Sequence, residues 1–263
     1  MLAESICKNR ANMRRMRIIG YSSPEKVLVV SPGPGAIDIS EEVALTLGRR
    51  GCAGRWEGEE YVPCDSAEAP LCARCGGGAP DPCVACRGEC RKPEKTCREE
   101  HSVYLAVFAP GAIKVGVSRT WRLERRLAEQ GADAGCEIGR FPDGEAARRV
   151  EASLRAQYPD RMAFEDKLAS GPVDDVVAAI TEQYSPQRTQ KFAHFKGELW
   201  MKPIVIKPRE GLAIGGRTVG VKGQALVIEK LGTLYVLNLD SLVGYDVELK
   251  KGRQSLQSSL NTY

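Results

Sequence analysis

The sequence predicts an α+β protein built in four parts, and three observations lead there. Residues 101–184 carry short apolar strand runs followed by helical patterns. Residues 203–248 hold a series of β-rich runs, PIVIK, LAIGG, QALVIEK, TLYVLNL and YDVEL, punctuated by Gly or Asp. Between Gly51 and Arg98 apolar periodicity vanishes and Gly, Pro and Cys dominate. Such a segment cannot bury a core, so something other than hydrophobic packing must hold it. The parts are an N-terminal β-rich segment (1–50), a Cys-rich zinc-binding module (51–100), an α/β domain (101–184) and a C-terminal β-rich domain (185–263).

Residues 17–31 read as two short strands around a Ser-Pro turn, and residues 31–35 as a loop. Residues 37–50 predict a short amphipathic helix. Val103–Phe108 is a buried strand, Pro110-Gly111 a turn, and Ile113–Val117 a second strand, which together predict a hairpin. Ser118–Gln130 reads as a helix ending at Gly131, and Cys136–Phe141 as a third strand. Asp143 suits the N-cap of a helix reaching Tyr158, with Ala147, Val150 and Leu154 as its apolar stripe. Pro172 opens a further helix. Its first turn holds Asp174 and Asp175, and its buried face is Val173, Val176, Val177 and Ile180. The runs after Ser185 predict a small all-β domain, barrel-like or sandwich-like. Whether the N-terminal strands join its sheet is left open by the sequence.

The chain has 263 residues, 43% apolar and 27% charged, ordinary for a soluble globular protein. No apolar run approaches the roughly 20 residues of a membrane helix. The basic N-terminal stretch is followed by no apolar core of a signal peptide, so a cytoplasmic protein without a membrane partner is expected. Among the ten cysteines, reduced thiols then make the clustered CxxC pairs metal ligands rather than disulfides. The net charge of +4 diagnoses no partner by itself. Basic residues do cluster in the first twenty positions, between Arg188 and Arg209, and at Arg119, Arg122, Arg125 and Arg126.

The cysteines run C64-x7-C72-x2-C75-x7-C83-x2-C86-x3-C90-x6-C97. Two CxxC turns can supply the four sulfurs of a structural zinc tetrahedron, and Cys72, Cys75, Cys83 and Cys86 fit that plan. Cys52, Cys64, Cys90 and Cys97 could form a second site, or the ligands could interleave, giving one or two zinc ions. An iron–sulfur cluster is the chemical rival, because Cys83, Cys86 and Cys90 form CxxCxxxC, but the bacterial ferredoxin run is absent. Cys7 and Cys136 stand alone as ordinary thiols. His101 follows Cys97 by four residues and could either complete a zinc site or pack at the start of the strand.

The stretch HSVYLAVFAPGAIKVGVSRTWRLERRLAEQGA, followed by EAARRVEASL, resembles the GIY-YIG nuclease superfamily in its divergent branch with KVG as the second motif. The chain as a whole resembles a family of microbial proteins of unknown function. The shared elements are RW…YVPC, HSVYLAVF, KVGVS, EQGADA and VKGQALVIE…VLNL…GY, across residues 50–248. The nuclease resemblance implies a small α/β core with catalytic residues Tyr104, Arg122 or Arg126, and Glu151 binding one Mg²⁺ or Mn²⁺. The second motif tyrosine is replaced by Lys114, and the usual asparagine after the glutamate has no counterpart.

Chemistry bears on the same residues independently. Arg119, Arg122 and Arg126 are spaced to share one helix face, which suits a phosphate backbone, and Lys114 and Arg125 could add phosphate contacts. Glu151 sits at the edge of an apolar stripe, as a metal ligand or as a salt-bridge partner of Arg148 or Arg155. Tyr104 is equally a core aromatic. Three functions are open: a nucleic-acid-binding protein (RNA or DNA) with weak or no phosphodiesterase activity, an active divalent-cation-dependent endonuclease, and a protein–protein adaptor. The first is favoured.

Overall fold

A computed structural model describes residues 16–32, 35–76, 97–249 and 256–258. The chain opens with β1 (Met16–Ser22), β2 (Val27–Ser31), β3 (Gly35–Asp38) and β4 (Glu42–Arg50). A small hairpin, β5 (Arg55–Glu57) and β6 (Glu60–Val62), precedes a single helical turn, α1 (Ala73–Gly76). Then come β7 (His101–Phe108), β8 (Ala112–Arg119), α2 (Leu123–Gln130), β9 (Ala134–Phe141), α3 (Gly144–Leu154) and α4 (Asp174–Tyr184). The remainder is β10 (Arg188–Lys191), β11 (Ile204–Ile206), β12 (Ala213–Lys222), β13 (Ala225–Lys230) and β14 (Thr233–Asn238), the short α5 (Leu239–Leu242), β15 (Tyr245–Leu249) and β16 (Leu256–Ser258). The fold is mixed α+β and strand-rich. Among the described residues no helix is long and apolar enough to cross a membrane.

The two ends of the chain share one sheet. Its order is β11-β14-β13-β12-β4-β15-β1-β2-β3-β16, ten strands among the described residues. The join is made by β4, which lies antiparallel between β12 and β15. This strand occupies most of the 37–50 segment where a helix is expected from the sequence. Val43, Leu45 and Leu47 are buried at a spacing of two, which is a strand period and not a helical one. They enter a core with Ile18, Leu28, Ile37, Leu226 and Leu237. The β13–β14 link is a two-residue turn, Leu231 and Gly232, both at positive φ, the conformation that matches the twist of a hairpin. In β13 alternate residues serve two cores. Leu226 and Ile228 face one side, while Val227 packs with Val236, Leu234 and Leu168 on the other.

The middle of the chain forms a second sheet, ordered β10-β9-β7-β8. The central strand β7 is buried at every position. Val103, Leu105 and Val107 pack on Ala147 of α3 and on Val177 and Ile180 of α4. Tyr104, Ala106 and Phe108 pack on the opposite side against Leu123 and Leu127 of α2. Asp143 caps α3 as its sequence position suggests, Oδ1 accepting from the Ala146 N–H at 2.8 Å. Gly131 ends α2 in the left-handed region. Two elements depart from expectation. β8 continues to Arg119, paired with His101, where a helix is expected from Ser118. β10 belongs to this sheet, through β9, and not to the all-β part.

The two sheets meet at a close backbone approach between Gly131 and Gly223. A Cβ on Gly131 would lie 2.7 Å from the Gly223 nitrogen. Beside it Lys222, wholly buried, donates to Asp133 Oδ2 at 2.6 Å and to the Ala169 carbonyl at 2.8 Å.

Candidate metal centre and nucleic-acid interface

Four cysteine sulfurs meet at the base of the β5–β6 hairpin. Cys52 follows β4, Cys64 follows β6, and Cys72 and Cys75 flank the start of α1. Their ligand atoms all lie within 4.8 Å of one another. Cys52 Sγ is 3.7 Å from Cys72 Sγ, and Cys64 Sγ is 3.8 Å from Cys72 Sγ. A tetrahedral zinc with bonds of about 2.3 Å demands sulfur separations of about 3.8 Å, which these two pairs match. No disulfide forms among these residues. The four cysteines could hold a metal ion such as zinc. With four thiolates such a site is closed and structural, leaving no position for water.

Local structure explains the convergence. The N–H groups of Cys75 and Gly76 donate to the Cys72 carbonyl at 3.0 and 2.8 Å, forming the tight turn that presents two sulfurs on one side. The hairpin returns Cys64 toward Cys52, and Tyr61 OH donates to the Ala53 carbonyl at 2.9 Å. Arg17 on β1 ties this module to the large sheet. Its Nη1 donates to the carbonyls of Cys52 and Cys64 at 3.0 and 3.2 Å, and its Nε pairs with Asp246 at 2.7 Å. The sulfurs sit among donors. The N–H groups of Gly54 and Cys72 reach Cys52 Sγ, each at 3.4 Å, and Arg74 reaches Cys64 Sγ at 3.3 Å. The Ser66 backbone N–H first, then Arg74, pull the Cys64 thiol down to about 6. Desolvation and the neighbouring sulfurs push Cys75 up to about 11. Crowded thiols cannot all ionise alone, and a dication would remove that conflict.

The expected grouping is therefore changed. Cys64, Cys72 and Cys75 are together as metal-site candidates, but their fourth partner is Cys52, not a member of the second CxxC pair. Cys83, Cys86 and Cys90 lie outside the described residues, as does Cys7. Cys97 stands apart from the cluster, with its sulfur 3.8 Å from His101 Nε2. The eleven residues between Cys52 and Cys64 carry no CxxC signature. The only hint is the strand–Gly–strand pattern RWEGEEYV that turns the chain back.

Of the remaining site residues, Tyr104 and Lys114 each come within electrostatic reach of Arg126 and Glu151. Tyr104 is buried on β7, and its hydroxyl accepts from Gln130 Nε2 at 2.7 Å. Burial raises its pKa, and Arg126 opposes the rise. Lys114 on β8 donates to Gln130 Oε1 at 3.1 Å. Burial, then Arg126 and Lys167, push Lys114 down to about 8, while Asp160 and Glu151 pull the other way. Glu151 is buried on α3 and pairs with Arg155 at 3.3 Å, and Arg155 also pairs with Asp160 at 3.2 Å. Among the described residues no group of three metal-ligating side chains includes Glu151.

The arginine face does not form as expected. Arg119 ends β8, Arg122 lies in the 3-10 turn Thr120–Arg122, and Arg126 lies in α2, so the three share no helix face. Acidic residues already meet them. Arg119 pairs with Glu99 at 3.3 Å, and Glu129 gathers Arg122, Arg125 and Arg126 at 3.1, 3.2 and 3.7 Å. Arg125 also reaches Glu25 at 2.9 Å. Arg188 pairs with Glu124 at 2.8 Å, and Lys196 with Glu41 at 3.0 Å.

A feature that sequence reasoning missed lies among these arginines. Trp121 is 71% exposed, on the rim of a cleft of about 520 Å³. Lys26, Arg125, Phe192 and His194 line the same cleft, together with the carboxylates Glu25 and Glu124. The rings of Phe192 and His194 stack at 6.2 Å and 19°. A tryptophan inside an arginine-rich turn was the available signal.

A search of curated proteins finds no match, and a search of solved structures finds none. One family model, described as a protein of unknown function (DUF2797), matches residues 60–247, so its match begins after Cys52 and takes in the whole four-stranded sheet and β11–β14 with part of β15 of the large one, leaving out β1–β4. The chain belongs to the DUF2797 family of proteins of unknown function.

Proposed function

We propose that this is a zinc-stabilised nucleic-acid-binding protein that takes unstacked bases of RNA or DNA at the Trp121 cleft. The observation that carries the reading is a large aromatic ring standing 71% exposed beside Arg125 and Lys26 on a cleft that also presents Phe192. Bases stack on aromatic faces irrespective of sequence, and flanking cations meet the backbone phosphates. Four thiolates at Cys52, Cys64, Cys72 and Cys75 would hold a structural zinc and so fix a segment without a core. The test is fluorescence anisotropy with labelled single-stranded RNA and DNA across a salt series. Trp121→Ala should weaken binding about 5- to 150-fold, the loss of one stacked base of about 1–3 kcal/mol. Affinity should fall as salt rises, because phosphate contacts release counterions. Equal affinity of Trp121→Ala and wild type would remove the cleft from the reading, and no binding at all would favour an adaptor.

A second reading, a divalent-cation-dependent endonuclease of GIY-YIG type, is favoured by Arg126 and Glu151 each reaching both Tyr104 and Lys114. Lys114 at the second tyrosine position and the ion pair of Glu151 with Arg155 count against efficient cleavage with Mg²⁺ or Mn²⁺. Cleavage of the same strands that is abolished in Glu151→Ala would establish the endonuclease.

A further inference from the structure

Cys97 lies just before β7, and its sulfur accepts a hydrogen bond from the backbone N–H of Gly144, the first residue of α3, at 3.2 Å. Helix α3 spans eleven residues, and its first backbone N–H is aimed at that sulfur. The other neighbour of this sulfur is His101, whose Nε2 stands 3.8 Å away. A sulfur and an imidazole nitrogen on one tetrahedral zinc are separated by about 3.6 Å, given bonds of about 2.3 and 2.0–2.1 Å. The observed spacing is within a few tenths of an ångström of that.

The histidine is oriented as a ligand. Its Nδ1 lies 2.7 Å from the Glu99 carbonyl, which can only accept, so Nδ1 carries the proton. Nε2 is then left with its lone pair, and it faces Cys97. A backbone carbonyl on the far nitrogen is the usual partner that fixes a metal-bound imidazole. The ring is only 9% exposed, so it is built in rather than borrowed from the surface. Gly144 makes the room. A Cβ there would fall 2.3 Å from Cys97 Sγ and 3.0 Å from His101 Nε2.

We infer that Cys97 and His101 are two ligands of a second zinc site, a mixed thiolate–imidazole site separate from the four-thiolate centre. Among the described residues no third metal-ligating side chain joins the pair, and the remaining positions are not assigned. The inference does not depend on nucleic-acid binding.

The test counts metal in the full chain by mass spectrometry after loading with Zn²⁺ and removal of excess ion. His101→Ala and Cys97→Ser should each hold one zinc fewer than wild type, and Cys64→Ser should lose a different one. Combining Cys64→Ser with His101→Ala should then remove both. His101→Cys restores a donor and should return the lost ion, which separates ligand loss from misfolding. Zinc content equal to wild type in both His101→Ala and Cys97→Ser would overturn the second site, as would failure of His101→Cys to recover what His101→Ala loses. Should Cys64→Ser alone keep its full content, the four-thiolate centre fails and the second site stands.

Discussion

Lys222→Met removes the cation that fastens the two sheets to each other. Lys222 is 0% exposed, and its ammonium has two protein partners, Asp133 Oδ2 at 2.6 Å and the Ala169 carbonyl at 2.8 Å. Burial pulls its pKa down, and Asp133 pushes it back up. Methionine occupies a similar volume, so the effect is electrostatic rather than a cavity. Breaking a buried pair from one side typically costs about 3–5 kcal/mol. Two features reduce that here: the Asp133 side chain is 17% exposed, and it keeps the Ala109 N–H at 2.7 Å. We expect a loss of about 2–4 kcal/mol, a fall in Tm on the order of 5–15 °C for a chain of this size. The assay is denaturant unfolding followed by circular dichroism, with Zn²⁺ in fixed excess so that metal linkage is constant. The Lys222→Met/Asp133→Asn double variant leaves no charge stranded and should be more stable than the two single losses add up to. A Lys222→Met loss of under about 0.5 kcal/mol, or strict additivity in the cycle, would refute the reasoning.

Two further outcomes follow from the metal module and from Lys114. Chelation, or Cys64→Ser, should raise hydrogen exchange across residues 51–76, whose buried cluster is the cysteines themselves, while β1 and β15 stay protected. Unchanged exchange after verified metal removal would sink the structural role of the ion. Lys114 is held at about 8, below its unfolded value of 10.5. Between those pH values the unfolded chain binds the proton and the folded chain does not, so folded stability rises with pH through that window. Lys114→Met should lose this rise, and parallel stability profiles of the two proteins from pH 7.5 to about 10.5 would contradict it.

Much of the local structure was legible because local chemistry decides it. The continuous apolar run VYLAVF marked a buried strand, the side chain of Asp143 the start of α3, and Gly131 the end of α2. The Cys72–Cys75 turn announced half of a thiolate site for the same reason, since its hydrogen bonds close within five residues. The partners were not legible. Val43 pairs with Gly216 across the join between the two ends of the chain, and nothing near either residue records the other. A run of apolar residues at 43, 45 and 47 could be mistaken for part of a helix until that neighbour strand appeared.

Function divides along the same line. The sequence by itself marked the thiols as candidate metal ligands, because a Gly- and Pro-rich segment has no core to order it. It also placed arginines around residue 122. Only the tertiary structure decided that Cys52 is the fourth sulfur and that Cys97 turns to His101. It likewise decided that Glu129 neutralises much of the arginine cluster, leaving Trp121 as its most exposed large side chain. Ligand sets and charge balance are sums over neighbours distant in sequence, so they exist only once the chain has closed on itself.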